Sequence, residues 1–152
     1  MPDRELRCLL IGFAGGRLLL PGSMVVEVLP YATPLRVAEV PRWVLGSLLW
    51  RARTVPLLAI EPLVTGQPAA PGPRSRIVVL TTPSERVQHL ALVSLEVPQL
   101  SLLKREMLKA SDEVDCPPGM LRAVRIGGDQ DAFIPDFDLL CEELAPLGIY
   151  RA

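Results

Sequence analysis

The sequence has few of the side chains that enzymes and metal sites need. It contains one histidine and three cysteines among 152 residues. Cys8, Cys116 and Cys141 lack the close spacing of a metal-binding pair, and no base stands beside them in the sequence. The same spread argues against a disulfide framework, so we expect a reducing, cytoplasmic environment. Metal chemistry and thiol catalysis are not expected.

Excess charge of one sign and aromatic side chains are also scarce. Sixteen basic residues stand against seventeen acidic ones, Lys104 and Lys109 are the only lysines, and aromatic residues make up 5% of the chain. A nucleic-acid-binding surface needs positive charge and exposed aromatic groups, so we expect no nucleic-acid partner. The apolar run at 8–13 is shorter than a signal segment or a membrane span, which predicts neither secretion nor direct membrane insertion.

The remaining candidate catalytic groups have simple structural explanations. His89 lies in an apolar run at 87–93, which indicates a structural histidine on a strand. The glycines near the N-terminus do not form a phosphate-binding loop. Four aspartates near the C-terminus fall in a turn, a strand and a helix cap, without the spacing of a calcium loop: Asp129, Asp131, Asp136 and Asp138. The sequence therefore predicts no catalytic residue, no cofactor and no metal, and a protein that is not an enzyme.

Turn-forming residues dominate the local structure. Sixteen prolines and eleven glycines leave little room for long helices and favour short strands joined by turns. Pairs of apolar runs separated by turns predict β-hairpins at 7–20, 47–60, 76–93 and 121–134. The hairpin at 47–60 is the most strongly marked, with Arg51-Ala52-Arg53 as its polar tip.

Short helices are predicted at several points. Residues 41–45 fit a helix that ends at Gly46, and the apolar spacing at 100–107 allows another. Residues 23–29 fit either a helical turn or a bent strand. At the C-terminus, Asp136 is the candidate N-cap of a helix whose apolar stripe includes Cys141, which we interpret as a core residue.

Three sequence motifs lie between residues 18 and 58. Residues 18–28 contain LLLP followed by VVEV, residues 34–46 end in PRWVLG, and residues 46–58 read GSLLWRARTVPLL. These motifs resemble the CheW family of chemotaxis coupling proteins, and the last is the most specific stretch. Further segments follow in the family's order at 76–80, 90–93, 121–124 and 133–137, so the resemblance covers nearly the whole chain.

The resemblance implies a mainly β fold of two intertwined five-stranded SH3-like barrels with short helices, one of them at the C-terminus. Residues 1–152 would form a single CheW-like domain of two lobes. The stretch at 65–75 is rich in proline and glycine, so we expect a flexible surface connection there and a boundary between the lobes.

The resemblance also implies a non-catalytic scaffold that couples chemoreceptors to a CheA-type histidine kinase. Family adaptors bind the kinase regulatory domain and the helical cytoplasmic tip of a methyl-accepting chemoreceptor, and are recruited to membrane-associated arrays. By this resemblance Arg51 matches the arginine at the receptor-side groove. Glu27 and Val25 match positions at or near the partner surfaces. Gly46 matches the glycine that opens the key strand, and Leu48 follows on that strand.

Three departures from the family pattern narrow this interpretation. Leu49 replaces an asparagine, Ala52 replaces a glycine and Ala59 replaces an aspartate. Alanine disfavours a positive φ, so we expect a hairpin tip of different shape. With these changes, the sequence resembles accessory CheW-like adaptors of type IV pilus systems, of the ChpC kind, which control twitching motility. A stand-alone docking module without a kinase, and a small-barrel ligand-binding protein or enzyme around His89 or the aspartates, remain alternatives.

Overall fold

The structure is a computed structural model that describes residues 5–111, 116–127 and 130–147. These residues form two β-sheets with short helices between and after the strands. The elements in chain order are β1 (Glu5–Phe13), β2 (Gly16–Pro21), β3 (Val25–Pro30), β4 (Val44–Trp50), β5 (Arg53–Leu58), α1 (Glu61–Val64), β6 (Arg76–Thr81), β7 (His89–Ser94), β8 (Gln99–Lys104), β9 (Leu108–Ala110), β10 (Met120–Ile126), β11 (Gln130–Pro135) and α2 (Phe137–Leu144).

The two sheets are built from interleaved parts of the chain. One sheet has six strands in the order β8-β1-β2-β11-β10-β9, and the other has five in the order β3-β6-β7-β5-β4. Neighbouring strands are antiparallel except for β2 beside β11 and β5 beside β7. Two intertwined β units with a C-terminal helix are thus confirmed, and the first unit has a sixth strand because the three-residue β9 pairs with β10.

Several strands bury both of their faces, which explains their unbroken apolar sequences. On β6, Ile77 and Val79 point into a cluster enclosed by the five-stranded sheet. Val78 and Leu80 point the other way, into a core shared by both sheets. Successive side chains of a strand lie on opposite faces, so two cores require apolar residues at every position.

Helix α2 completes the shared core. Leu140, Cys141 and Leu144 pack into it against strands of both sheets. The carboxylate of Asp136 accepts a hydrogen bond from the Leu139 backbone N–H at 3.2 Å, which satisfies a donor of the first turn. The predicted N-cap and the core position of Cys141 are therefore confirmed. Among the described residues, no helix has the length and apolar composition needed to span a membrane.

Two predicted helices are wrong. Residues 41–43 form a turn, in which the Val44 N–H donates to Pro41 O at 3.0 Å, and Val44 already belongs to β4. Residues 99–104 form β8, which pairs with β1, and only Arg105–Met107 is a 3₁₀ helix. Pairing with a neighbouring strand outweighs the weak local preference of these short segments. The ambiguous stretch at 23–29 is a 3₁₀ helix at Gly22–Met24 followed by β3.

The stretch at 65–75, where a lobe boundary is expected, does not connect the two sheets. This stretch connects α1 to β6, and the flanking strands β5 and β6 belong to the same sheet. The chain instead passes between the sheets after β2 and again after β7, through the short connections at 22–24 and 95–98. Proline and glycine indicate a surface turn, but they do not predict which strands pair with each other. The flexibility of 65–75 stays a prediction.

A buried carboxylate links the two sheets. Glu61, at the start of α1, is only 4% exposed. Its Oε2 accepts a hydrogen bond from the backbone N–H of Ala14, in the β1–β2 turn, at 3.0 Å. A Cβ atom on Gly15 would come within 2.6 Å of Thr65 Cγ2, so this turn lies directly against the residue that follows α1. The sequence alone gave no signal for this contact.

We predict that Glu61→Ala lowers the free energy of unfolding by about 2 kcal/mol, because it removes a charge-assisted hydrogen bond and leaves the Ala14 N–H without a partner. Urea denaturation followed by tryptophan fluorescence measures the loss. Glu61→Gln keeps an oxygen acceptor and should lose less. Equal stability of Glu61→Ala and the unchanged chain would contradict the link.

Candidate functional site

The hairpin between β4 and β5 ends in a tight two-residue turn. Trp50 pairs with Arg53, and the intervening Arg51 and Ala52 have φ angles of 48° and 61°. Two consecutive positive φ angles are the signature of a type I′ turn, which normally contains glycine or asparagine. Ala52 therefore adopts the conformation that its side chain disfavours, and the turn holds Arg51 at an exposed tip.

One carboxylate joins the two edges of the five-stranded sheet. Glu27 lies on β3 and Trp50 on β4, the opposite edge strands. Glu27 Oε1 accepts a hydrogen bond from Trp50 Nε1 at 3.0 Å and another from Arg51 Nη2 at 3.2 Å. The Arg51 guanidinium also lies 4.6 Å from the centre of the Trp50 ring. These side-chain contacts close the sheet into a barrel at a seam between β3 and β4.

Two other predicted partner-binding residues, Val25 and Leu48, pack against two different hydrophobic clusters. Val25, at the start of β3, is half-buried and packs against the shared core. Leu48 is half-buried and packs into the cluster of the five-stranded sheet. The structure thus brings Arg51 and Glu27 into direct contact, whereas Val25 and Leu48 contribute mainly to packing.

Gly46 is required by a close approach of the backbone. Leu35 and Ser47 exchange two backbone hydrogen bonds, at 2.9 and 2.8 Å. Gly46 has a φ of 151°, and a Cβ atom there would lie 2.0 Å from the carbonyl oxygen of Leu35. Any other residue at this position would push the Leu35 segment away from β4.

Apolar side chains that sequence reasoning missed are exposed around the seam. Leu35 is 76% exposed and Leu49 is 81% exposed. Leu35 bridges Ser47, two residues before Leu49 on β4, so both leucines lie on the outer face of that edge. Val26 and Val28 are exposed on β3, next to Glu27. The alternation of β4 could have revealed Leu49, because Leu48 and Trp50 beside it point inward. We call Val26, Val28, Leu35, Leu49 and Arg51 the seam surface.

The chain is similar to known proteins over most of its length. The sequence profile described as CheW-like domain matches residues 7–145. The chain belongs to the CheW-like family. The crystal structure of the scaffolding protein TtCheW from Thermoanaerobacter tengcongensis superimposes with a TM-score of 0.74 at 14% sequence identity, covering 88% of this chain and 90% of that chain. At this identity the likeness shows a shared fold. A search of curated proteins finds no match.

His89 and the described aspartates, the candidate catalytic groups of this CheW-like chain, each have a separate structural environment. His89 is half-buried, with its ring centre 5.2 Å from that of Trp50. Burial, and then the positive charges of Arg53 and Arg51, lower the pKa of His89. Asp131 pairs with Arg125 at 3.2 Å and Asp136 caps α2. Asp129 lies outside the described residues, among which no group of side chains is placed to hold a metal ion.

We predict that Glu27→Ala destabilises this CheW-like fold more than Arg51→Ala. The first change leaves the N–H of buried Trp50 without an acceptor and should lower the free energy of unfolding by about 2 kcal/mol. The second removes an exposed ion pair, which is worth about 1 kcal/mol or less. Chemical denaturation of both variants gives the comparison, and equal losses would contradict the role assigned to the indole hydrogen bond.

We also predict that Ala52→Gly stabilises the protein by about 1 kcal/mol, because glycine adopts a positive φ without steric strain. Thermal or urea unfolding measures the gain. Ala110→Gly is the matched control, since Ala110 is an exposed strand residue without a positive φ. The control should be neutral or destabilising, and a gain of the same size in both variants would contradict the strain at Ala52.

Proposed function

We propose that this chain is a non-catalytic adaptor that couples chemoreceptors to a CheA-type histidine kinase in bacterial chemosensory signalling. The observation that carries the proposal is the seam surface, where a fixed arginine stands among exposed apolar side chains on a CheW-like fold. The description of TtCheW as a scaffolding protein supports it. In this proposal the protein works in the cytoplasm and is recruited to membrane-associated arrays.

The seam surface suits a helical partner such as the receptor tip. An amphipathic helix binds by placing apolar side chains against an apolar surface, and Leu35 and Leu49 offer such a surface on β4. Arg51 uses one N–H on Glu27, which leaves other guanidinium donors for a partner carboxylate. Contact with Glu27 and stacking on Trp50 hold the guanidinium in place, so a partner need not order a free side chain.

Kinase coupling would use the barrels themselves. The regulatory domain of a CheA-type kinase has the same fold as its adaptors, so the expected contact is barrel against barrel. Ala59, where the family resemblance predicts an aspartate, is fully buried, and its N–H donates to Trp43 O at 2.8 Å. Ala59 is thus a buried alanine in place of a carboxylate. This departure from the family pattern supports a narrower proposal, in which the protein is a ChpC-type adaptor of a type IV pilus system and controls twitching motility.

We expect the purified protein to co-elute with the regulatory domain of its cognate CheA-type kinase and to bind the cytoplasmic tip of its receptor. Arg51→Gln should weaken receptor binding about tenfold, because a charge-assisted contact is lost. We choose glutamine because a glutamate would set a second carboxylate against Glu27. Arg122→Gln, on an exposed site of the six-stranded sheet, is the matched control.

The two partners separate the possible outcomes. Absence of both complexes at micromolar concentrations would contradict the adaptor proposal. Receptor binding without kinase binding would indicate a stand-alone docking module instead. Unchanged receptor binding by Arg51→Gln would contradict the role of the seam surface, provided that circular dichroism shows the variant to be folded.

A further inference from the structure

A cleft beside the hairpin tip is lined by cationic groups. Its volume is about 270 Å³, and its walls are the start of β5 on one side and residues 85–89 on the other. Arg53 belongs to the first wall, and Arg86 and His89 belong to the second, together with one carboxylate, Glu85. Two arginines and one histidine therefore line a space that one acidic side chain shares.

Neither guanidinium in this cleft is neutralised by the protein. Among the described residues, Arg53 and Arg86 have no carboxylate partner within 4.0 Å, and neither side chain donates a hydrogen bond. Glu85 also makes no ion pair with them. Unpaired guanidinium groups on adjacent walls give the cleft a positive potential that a ligand can offset.

The backbone on both sides of the cleft is fixed. Arg53 follows the type I′ turn and pairs with Trp50 in the β4–β5 ladder. Arg86 lies in a turn in which Ser84 Oγ accepts hydrogen bonds from the backbone N–H groups of Arg86 and Val87, at 3.2 and 3.1 Å. The two guanidinium groups are therefore attached to ordered positions rather than to long loops.

We propose that this cleft binds a small oxyanion of the phosphate or carboxylate class. The planar N–H fork of arginine matches both kinds of group. Thr54 and Gln88 line the same space, and a hydroxyl and an amide are side-chain groups that can donate hydrogen bonds. The assignment goes beyond the proposed adaptor function, since it requires neither receptor nor kinase.

The direction of the His89 pKa agrees with this assignment. Burial lowers that pKa first, and the positive charges of Arg53 in the cleft and of Arg51 at the hairpin tip lower it further. Glu27, bound to Arg51, and Glu85 are the nearby carboxylates on the packed elements. A bound oxyanion adds negative charge and should raise the pKa of His89 again.

His89 is the only histidine of the chain, which makes it a selective reporter. We would titrate inorganic phosphate, and separately succinate, into the purified protein at constant ionic strength with chloride as the balancing anion. The His89 Hε1 resonance in proton NMR is followed at several pH values. We expect a saturable shift and a higher His89 pKa in the presence of the oxyanion, because the bound charge favours imidazolium.

Matched variants separate the cleft from nonspecific charge effects. Arg53→Gln and Arg86→Gln should each raise the dissociation constant of the oxyanion about tenfold, because each removes a charge-assisted contact. Glu85→Gln should lower the dissociation constant, since a competing carboxylate is lost, and Arg122→Gln should leave it unchanged. Without oxyanion, Arg53→Gln should by itself raise the His89 pKa, because a like charge is removed.

The titrations also choose between the two ligand sources. Tighter binding of phosphate assigns a phosphoryl group to the cleft, and tighter binding of succinate assigns a carboxylate. A response that does not saturate, or one that persists unchanged in both arginine variants, would overturn the proposal. Neither result bears on receptor or kinase binding, so the adaptor proposal is tested separately.

Discussion

The burial of both faces of the central strands is the constraint on which the rest of this structure depends. Strands such as β1, β2, β6 and β7 send alternate side chains into the cluster of their own sheet and into the shared core. Polar residues can then be placed only at strand ends, at the edges of the sheets and in the turns. The exposed polar and charged side chains of the seam and of the cationic cleft lie at those places.

The seam shows how structure and recognition share the same atoms. Glu27 satisfies the indole N–H of Trp50, joins two sheet edges that share no backbone hydrogen bonds, and orients Arg51. A partner that binds Arg51 therefore contacts a group that also contributes to barrel closure. Substitutions here will affect folding and binding together, which is why each binding variant needs a stability measurement beside it.

Much of the fold could be predicted, because long apolar runs on both sides of a turn allow few structures other than a hairpin. Short segments such as 41–45 and 99–104 could not, since their state depends on a neighbouring strand. The family resemblance pointed to Glu27 and Arg51 individually, but no local pattern predicts a hydrogen bond between Glu27 and Trp50, 23 residues apart. The exposure of Leu49 was missed, although the alternation of side chains on β4 could have predicted it. The burial of Glu61 could not be predicted, because it depends on how the two sheets meet.

The interleaved order of the strands also bears on synthesis. The five-stranded sheet comes from one continuous stretch, β3 to β7, and can assemble as soon as that stretch has left the ribosome. The six-stranded sheet needs β1 and β2 from the beginning of the chain and β8 to β11 from its second half. The first hairpin must therefore wait with unpaired edges on both sides, a state that is prone to aggregation and open to chaperones. Ribosomal pauses after β7 would prolong this exposure.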